Sequence, residues 1–379
     1  MNRIRSTLVN GGLLVLSTLV ALLLASLIAT YLPHKATGED YFSSRFVVLR
    51  EYRPLADVWV TPSDTYMTGV EHLPQKPYRV RTDANSFIIG PSDLLAPKLT
   101  QPMDIVFLGG SSTECGFVDE ELRFPYRVGE LLTTRSSLSA RTLNGGVSGN
   151  HSLHSLIQYL AKIAPMQPRH VILMHNINDL TLLSKTGSYW QAPPSRALLG
   201  SRPTPTPAPL INLATLLEPF SDLVSSRPPP TAPDEWGDFR DKSREVNQAE
   251  IERLFRASLT SFVDTVRAFG SQPVLMTQFN RLKAGDAFVR GTYERESQSL
   301  SYEAFVTLYT RLNQVIREVA SEKNVFLIDL DQIIPATSAF IYDAVHLNGE
   351  GSLMVAEVIA AAMQANETHY FSAISTISQ

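Results

Sequence analysis

Four short stretches of this chain carry residues that could act together on an ester. FLGGSSTE places Ser111 directly after Gly109 and Gly110, where small residues let the backbone turn sharply and expose a hydroxyl. NGGVSGN supplies Asn144, Gly145, Gly146 and Gly149, and MHNINDL supplies Asn176, Asn178 and Asp179. IYDAVHLNGEG sets Asp343 three residues before His346, so one loop can hold a carboxylate against one imidazole nitrogen while the other nitrogen faces a nucleophile. A serine hydroxyl is a poor nucleophile at neutral pH and needs an adjacent base, and the oxyanion it creates needs donors already in place. Each piece alone has a plainer reading: Ser111 as a helix cap, Gly149 as a turn glycine, Asn178 as a loop-capping amide, Asp343 and His346 as a structural hydrogen bond. Their occurrence as an ordered set favours the chemistry.

Other chemistries fit less well. The glycine turn lacks the lysine of a phosphate-binding G-x-x-x-x-G-K-[ST] loop and the spacing of G-x-G-x-x-G, and Thr113 stands where G-x-S-x-G requires glycine. Cys115 is the only cysteine, which excludes an intrachain disulfide and a cysteine-cluster metal site; its proximity to Ser111 suggests a thiol enzyme, but a lone cysteine is more often a small buried hydrophobe. His151, His154, His170 and His175 share no helical face with a carboxylate in metal-ligand spacing and are read as structural, with His151 and His175 the two that could border a pocket. No metal or organic cofactor is required. Lys plus Arg is 33 against 37 Asp plus Glu, a net charge of −4 that offers no basic excess for nucleic acid.

The elements that must position these residues follow from apolar patterning. DIVFL, RTLN, HVILMH, PVLMTQ and VFLIDL read as strands, and residues 121–133, 151–164, 248–269, 302–323 and 349–364 as helices. Their alternation implies βα units and a parallel sheet covered by helices on both faces, and each chemical stretch then falls at a strand's C-terminal end. Residues 184–245 break the rhythm with PTPTPAP and RPPP, an extended insertion that is either an arm bordering the binding crevice or a solvated loop. Residues 33–99, with YRVRTDANSFIIGPSD, read as an accessory segment of short strands. Residues 8–32 contain no charge and suffice to cross a bilayer core of about 30 Å. Arg3 and Arg5 precede them, predicting a cytoplasmic tail at 1–7, an uncleaved anchor at 8–32 and an extracytoplasmic body. A cleaved signal peptide is the competing reading.

The four stretches resemble the sequence blocks of the SGNH hydrolases, also called GDSL esterases and lipases, in family order. FLGGSST is similar to the first block and implies that Ser111 is the nucleophile; NGGVSG implies an oxyanion-hole role for Gly149, and NIND the same for Asn178. DAVH implies that Asp343 and His346 complete the triad, with the Ser111 N–H as the remaining oxyanion donor. The resemblance implies a three-layer α/β/α domain over residues 100–370 with a five-stranded parallel flavodoxin-like sheet. Three positions depart from the family pattern: Gly110 replaces the usual Asp, Asn176 the usual Gly, and Cys115 a frequent Gly. GGS resembles a variant found in a membrane-anchored subgroup. The expected activity is hydrolysis of acyl esters, O-acetyl groups on an extracytoplasmic polysaccharide being the favoured substrate. Acyl transfer to a sugar hydroxyl by the same triad, and a non-catalytic polysaccharide-binding or assembly role, remain as alternatives.

Overall fold

The computed structural model describes residues 47–91, 103–135, 140–201, 246–282, 285–295 and 300–366, together with 13, 17, 18, 20 and 21, which are helical. The expected membrane span at 8–32 therefore lies almost wholly outside the described residues, as does most of the proline-rich stretch. Among the described residues no helix is long and apolar enough to cross a membrane. The chain divides into two compact units, one of residues 1–48 with 201–234 and the other of 49–200 with 235–379. Everything below concerns the second.

A hairpin-like pair opens this unit, with β1 (Asp57–Val60) antiparallel to β2 (Tyr78–Arg81). Five strands then build the main sheet: β3 (Met103–Gly109), β4 (Ala140–Asn144), β5 (His170–Met174), β6 (Gln272–Met276) and β7 (Phe326–Ile328). All pairings are parallel and the order is β4-β3-β5-β6-β7, the arrangement expected from the sequence. The chain runs outward from β3 to β4 and then returns across β3 to β5. The connections that follow the neighbouring strands β3 and β5 thus leave toward opposite edges, and a crevice opens at their C-terminal ends, where Ser111 follows β3.

Alternate strand residues face opposite layers. Val106, Leu108, Val171, Leu173 and Leu275 pack under α2 (Ser152–Gln158), α3 (Ile177–Thr186), α4 (Gln248–Ala268) and α5 (Tyr302–Glu322). Ile105, Phe107, Ile172, Met174, Val274 and Met276 pack under α1 (Phe124–Arg135) and α6 (Gly349–Ala365). Strands buried on both faces need no polar alternation, which is why they read as continuous apolar runs. Each fully buried Val, Leu, Ile, Phe or Met contributes roughly 1.5–3 kcal/mol, so both layers hold the sheet edge rigid beneath the loops it carries.

Two helices differ from expectation. The run predicted as one helix over 151–164 is α-helical only to Gln158, then passes through a π turn at Tyr159–Ile163 and a 3₁₀ turn at Ala164–Met166, where Pro165 removes a donor. Conversely α3 was not predicted, and the chain stays helical two residues past the expected start of the insertion at Ser184. The accessory segment is tied firmly to the sheet. The Ile88 N–H donates to Asn144 O at 2.8 Å, extending the edge strand β4, and buried Lys162 pairs with Glu51 at 2.8 Å.

Candidate active site

Strand β3 ends at Gly109, and Ser111 opens a single helical turn, Ser111–Glu114. Cys115 stops that turn in the left-handed region at φ 55°, which accounts for the glycine frequent at this position in the resembling family. The opposite half of the site is the loop before α6. There the Asp343 Oδ1 accepts the Val345 and His346 backbone N–H groups at 2.9 and 2.8 Å, while its Oδ2 lies 2.6 Å from His346 Nδ1. His346 Nε2 is 2.6 Å from Ser111 Oγ. Sequence positions 111, 343 and 346 thus converge on one hydrogen-bonded row. With Asp343 accepting a hydrogen bond from Nδ1–H, Nε2 is left free to accept one from the serine hydroxyl.

Electrostatics favour a charged imidazole. Burial alone would depress His346, but the Asp343 charge, its hydrogen bond and the nearby Glu114 charge outweigh that and raise its pKa above the ordinary value. Burial would likewise raise Asp343; the His346 charge and hydrogen bond, with the two backbone donors, hold it below the usual carboxylate range instead. The Tyr342 ring stacks on the imidazole, with centroids 5.7 Å apart and planes inclined by 13°. Ser112 links the halves: its hydroxyl donates to Val345 O at 2.9 Å and accepts from Gln278 Nε2 at 2.8 Å.

Asn178 stands beside this row. A Cβ on Gly110 would lie 2.3 Å from Asn178 Nδ2, so a side chain there would require this amide to shift from its present position. The amide donates to Asn150 O at 2.7 Å, and Gly149, at φ 79°, occupies the left-handed conformation that a side chain would strain. Beneath, buried Asp179 accepts from the Ser152 N–H at 3.1 Å and from the Tyr189 hydroxyl at 2.6 Å, stapling the loop after β4 to the loop after β5. Burial pushes Asp179 up to about 6 despite these donors. Asn176 does not face the row: its amide donates to Tyr309 O and Asn313 Oδ1 at 2.9 and 3.0 Å, so this departure is absorbed by the core.

Cys115 is buried and its thiol is pushed up to about 12 by desolvation, leaving it protonated beside the serine. His151, His154, His170 and His175 are all buried. His175 is fixed by Ser155 Oγ at 2.7 Å and depressed to about 3 by burial. Among the described residues no group of three His, Cys, Asp or Glu could hold a metal ion. Sequence reasoning did not single out Arg50, Tyr52, Glu114, Ser112, Gln278 or Tyr342. The first two lie in the accessory segment, where nothing local marks them.

The sequence profile of the GDSL-like lipase/acylhydrolase family matches residues 107–353. No curated protein matches the chain. Solved structures that match include an acetylxylan esterase from Geobacillus stearothermophilus, 18% identical over 70% of this chain and 96% of that one, with a TM-score of 0.41. Another acetyl xylan esterase is 14% identical over 68% of this chain and 98% of that one, with a TM-score of 0.41. An α/β hydrolase enzyme from the metagenome of Lake Arreo, Spain, is 16% identical over 70% and 97%, with a TM-score of 0.42.

Proposed function

From the premise that this chain belongs to the GDSL-like lipase/acylhydrolase family, and is thereby an ester hydrolase, we propose that it cleaves acyl esters through Ser111, His346 and Asp343. The observation that carries the assignment of these residues is the row of two 2.6 Å contacts running from Ser111 Oγ through the imidazole to Asp343 Oδ2.

In this reading His346 Nε2 takes the Ser111 proton as Oγ bonds to the acyl carbon, and Asp343 stabilises the imidazolium without becoming protonated. The negative charge on the former carbonyl oxygen is met by the N–H groups of Ser111 and Gly149 and by the Asn178 amide; one such donor is typically worth about 10²- to 10³-fold in rate. Collapse breaks the bond to the alcohol, whose oxygen receives the proton from His346. Water then attacks the acyl-enzyme, gives its proton to the same nitrogen and releases the acid, and Ser111 recovers its hydrogen.

The substrate proposed is an O-acetyl ester on carbohydrate outside the cytoplasm. Its support is the uncharged stretch at 8–32 preceded by Arg3 and Arg5, which would anchor the enzyme beside envelope or secreted polymer. Intact-mass spectrometry of the full chain after brief exposure to an activated acetyl ester tests the chemistry. A single acetyl adduct, or turnover, that vanishes in Ser111→Ala is expected; a folded protein giving neither refutes it. Acetate release from an O-acetylated polysaccharide tests the substrate, and its absence across neutral and acidic polymers rejects it.

A further inference from the structure

Arg50 lies well before the matched family region, yet it grips the loop that carries Gly149. Its Nη1 donates to Ser148 O and, at 2.9 Å, to Asn150 Oδ1, while its own carbonyl accepts from Asn150 Nδ2 at 3.3 Å. Its Nε donates to Ser195 O at 2.8 Å, fixing the guanidinium from the far side. A Cβ on Gly149 would lie 3.0 Å from Arg50 Nη2, so the group also closes over that residue. Two residues on, the Tyr52 hydroxyl donates at 2.5 Å to the buried carboxylate of Glu114, in the helical turn that Ser111 begins.

The carbonyl of Ser148 and the N–H of Gly149 belong to one peptide plane. In a trans peptide these two groups point in opposite directions, so fixing the carbonyl fixes the line of the N–H. Among the described residues that N–H donates to no protein acceptor. A cation on the carbonyl also polarises the amide and strengthens its N–H as a donor. Two peptide planes further on, Asn150 O is held by Asn178 Nδ2. The loop is therefore gripped on both sides of Gly149.

We propose that Arg50 is a positioning residue that aims and polarises the Gly149 N–H, so that the oxyanion hole is completed by a segment preceding the hydrolase domain. This rests on the esterase reading above. The test compares full-length wild type, Arg50→Ala and Arg50→Lys in steady-state hydrolysis of 4-nitrophenyl acetate, with amide hydrogen exchange of the 145–151 peptide measured in parallel. Arg50→Ala is expected to lower kcat by about 10- to 100-fold, up to the lower end of the loss of a whole donor, with KM nearly unchanged. Added guanidinium ion should restore part of the loss, and Lys, a point charge without the fork, should restore less than the native side chain. Exchange at Asn150, whose N–H donates to Val147 O at 3.0 Å, should quicken in both variants.

Unchanged kcat, a loss confined to KM, or a fall in kcat that guanidinium does not relieve overturns the proposal. Unchanged loop exchange in the variants overturns it as well. If Arg50→Ala does not fold, Arg50→Lys carries the same comparisons. Wild type that neither turns over the ester nor is acylated at Ser111 would sink the esterase reading, while the exchange data still decide whether Arg50 holds the loop.

Discussion

Replacing Gly110 with alanine should displace the Asn178 amide from the proposed oxyanion hole while sparing the fold. Gly110 lies at φ −90° and ψ −153°, open to any L-residue, so alanine incurs no backbone strain there. The obstacle is the Asn178 amide nitrogen, 2.3 Å from where Cβ would sit, with Asn150 O a further 3.1 Å contact. Nδ2 ends a side chain that can rotate, so it yields, giving up its 2.7 Å bond to Asn150 O. That hydrogen bond is worth about 1 kcal/mol of stability, a melting shift of about 2–4 °C for a domain of this size. The displaced oxyanion donor is worth about 10²- to 10³-fold in kcat, roughly 2.7–4 kcal/mol. The assay is steady-state hydrolysis of 4-nitrophenyl acetate, with thermal denaturation alongside, for Gly110→Ala, Asn178→Ala and the double variant. Because both changes remove the same amide, the double variant should be little slower than the slower single one. Full kcat in Gly110→Ala, or losses that multiply in the double variant, would refute the reasoning.

Asp343→Asn keeps an oxygen for the Val345 and His346 N–H groups but cannot accept from Nδ1, so kcat should fall by about 10⁴-fold with little change in melting temperature. His346 must be neutral to act as base and its pKa is raised, so the acid limb of kcat/KM should have its midpoint above pH 6.5 and move down in Asp343→Asn. By the same shift, the contribution of His346 to stability is fully present below about pH 6.5, the unfolded value, and is lost as pH climbs through the folded one, whereas that of Asp343, whose pKa is lowered, is lost as pH falls below about 4; a melting curve against pH checks both signs. Cys115, buried and held at about 12, should resist a disulfide thiol probe until the protein unfolds, and rapid labelling of the native enzyme would contradict that.

The sheet was legible because its strands are buried on both faces and announce themselves as short apolar runs between turn residues. The convergence of Ser111 and Asn178 followed from their places just beyond strand ends, which topology brings to one edge, whereas Asp343 and His346 reach it from the loop before α6, well beyond the end of β7. Helix α3 escaped because Leu180, Leu182 and Leu183 mix spacings of two and one, and its first turn is occupied by the NIND stretch. The role of Gly110 could not be read locally, since the atom that a side chain there would meet belongs to residue 178. Arg50 and Tyr52 were invisible for the same reason: their partners lie 98 and 62 residues away, and a long-range hydrogen bond leaves no periodic trace.

The loop bearing Asp343 and His346 is held from outside, by the Glu71 N–H on Tyr342 O at 2.7 Å and the Arg281 N–H on Ala344 O at 2.9 Å, and also from within. One oxygen of Asp343 folds the loop, the other orients the imidazole, and the Ile341–Leu347 bridge closes its neck, with the Tyr342 N–H donating to His346 O at 2.9 Å. The Asp343–His346 pair is therefore held as one unit, and the separation of Nε2 from Ser111 Oγ is the coordinate that joins the two halves of the site. The hydroxyl of Ser112, bound to Val345 O, is the tie rod across that coordinate. A side chain outside the proposed triad thus helps to hold the distance that the serine proton would cross.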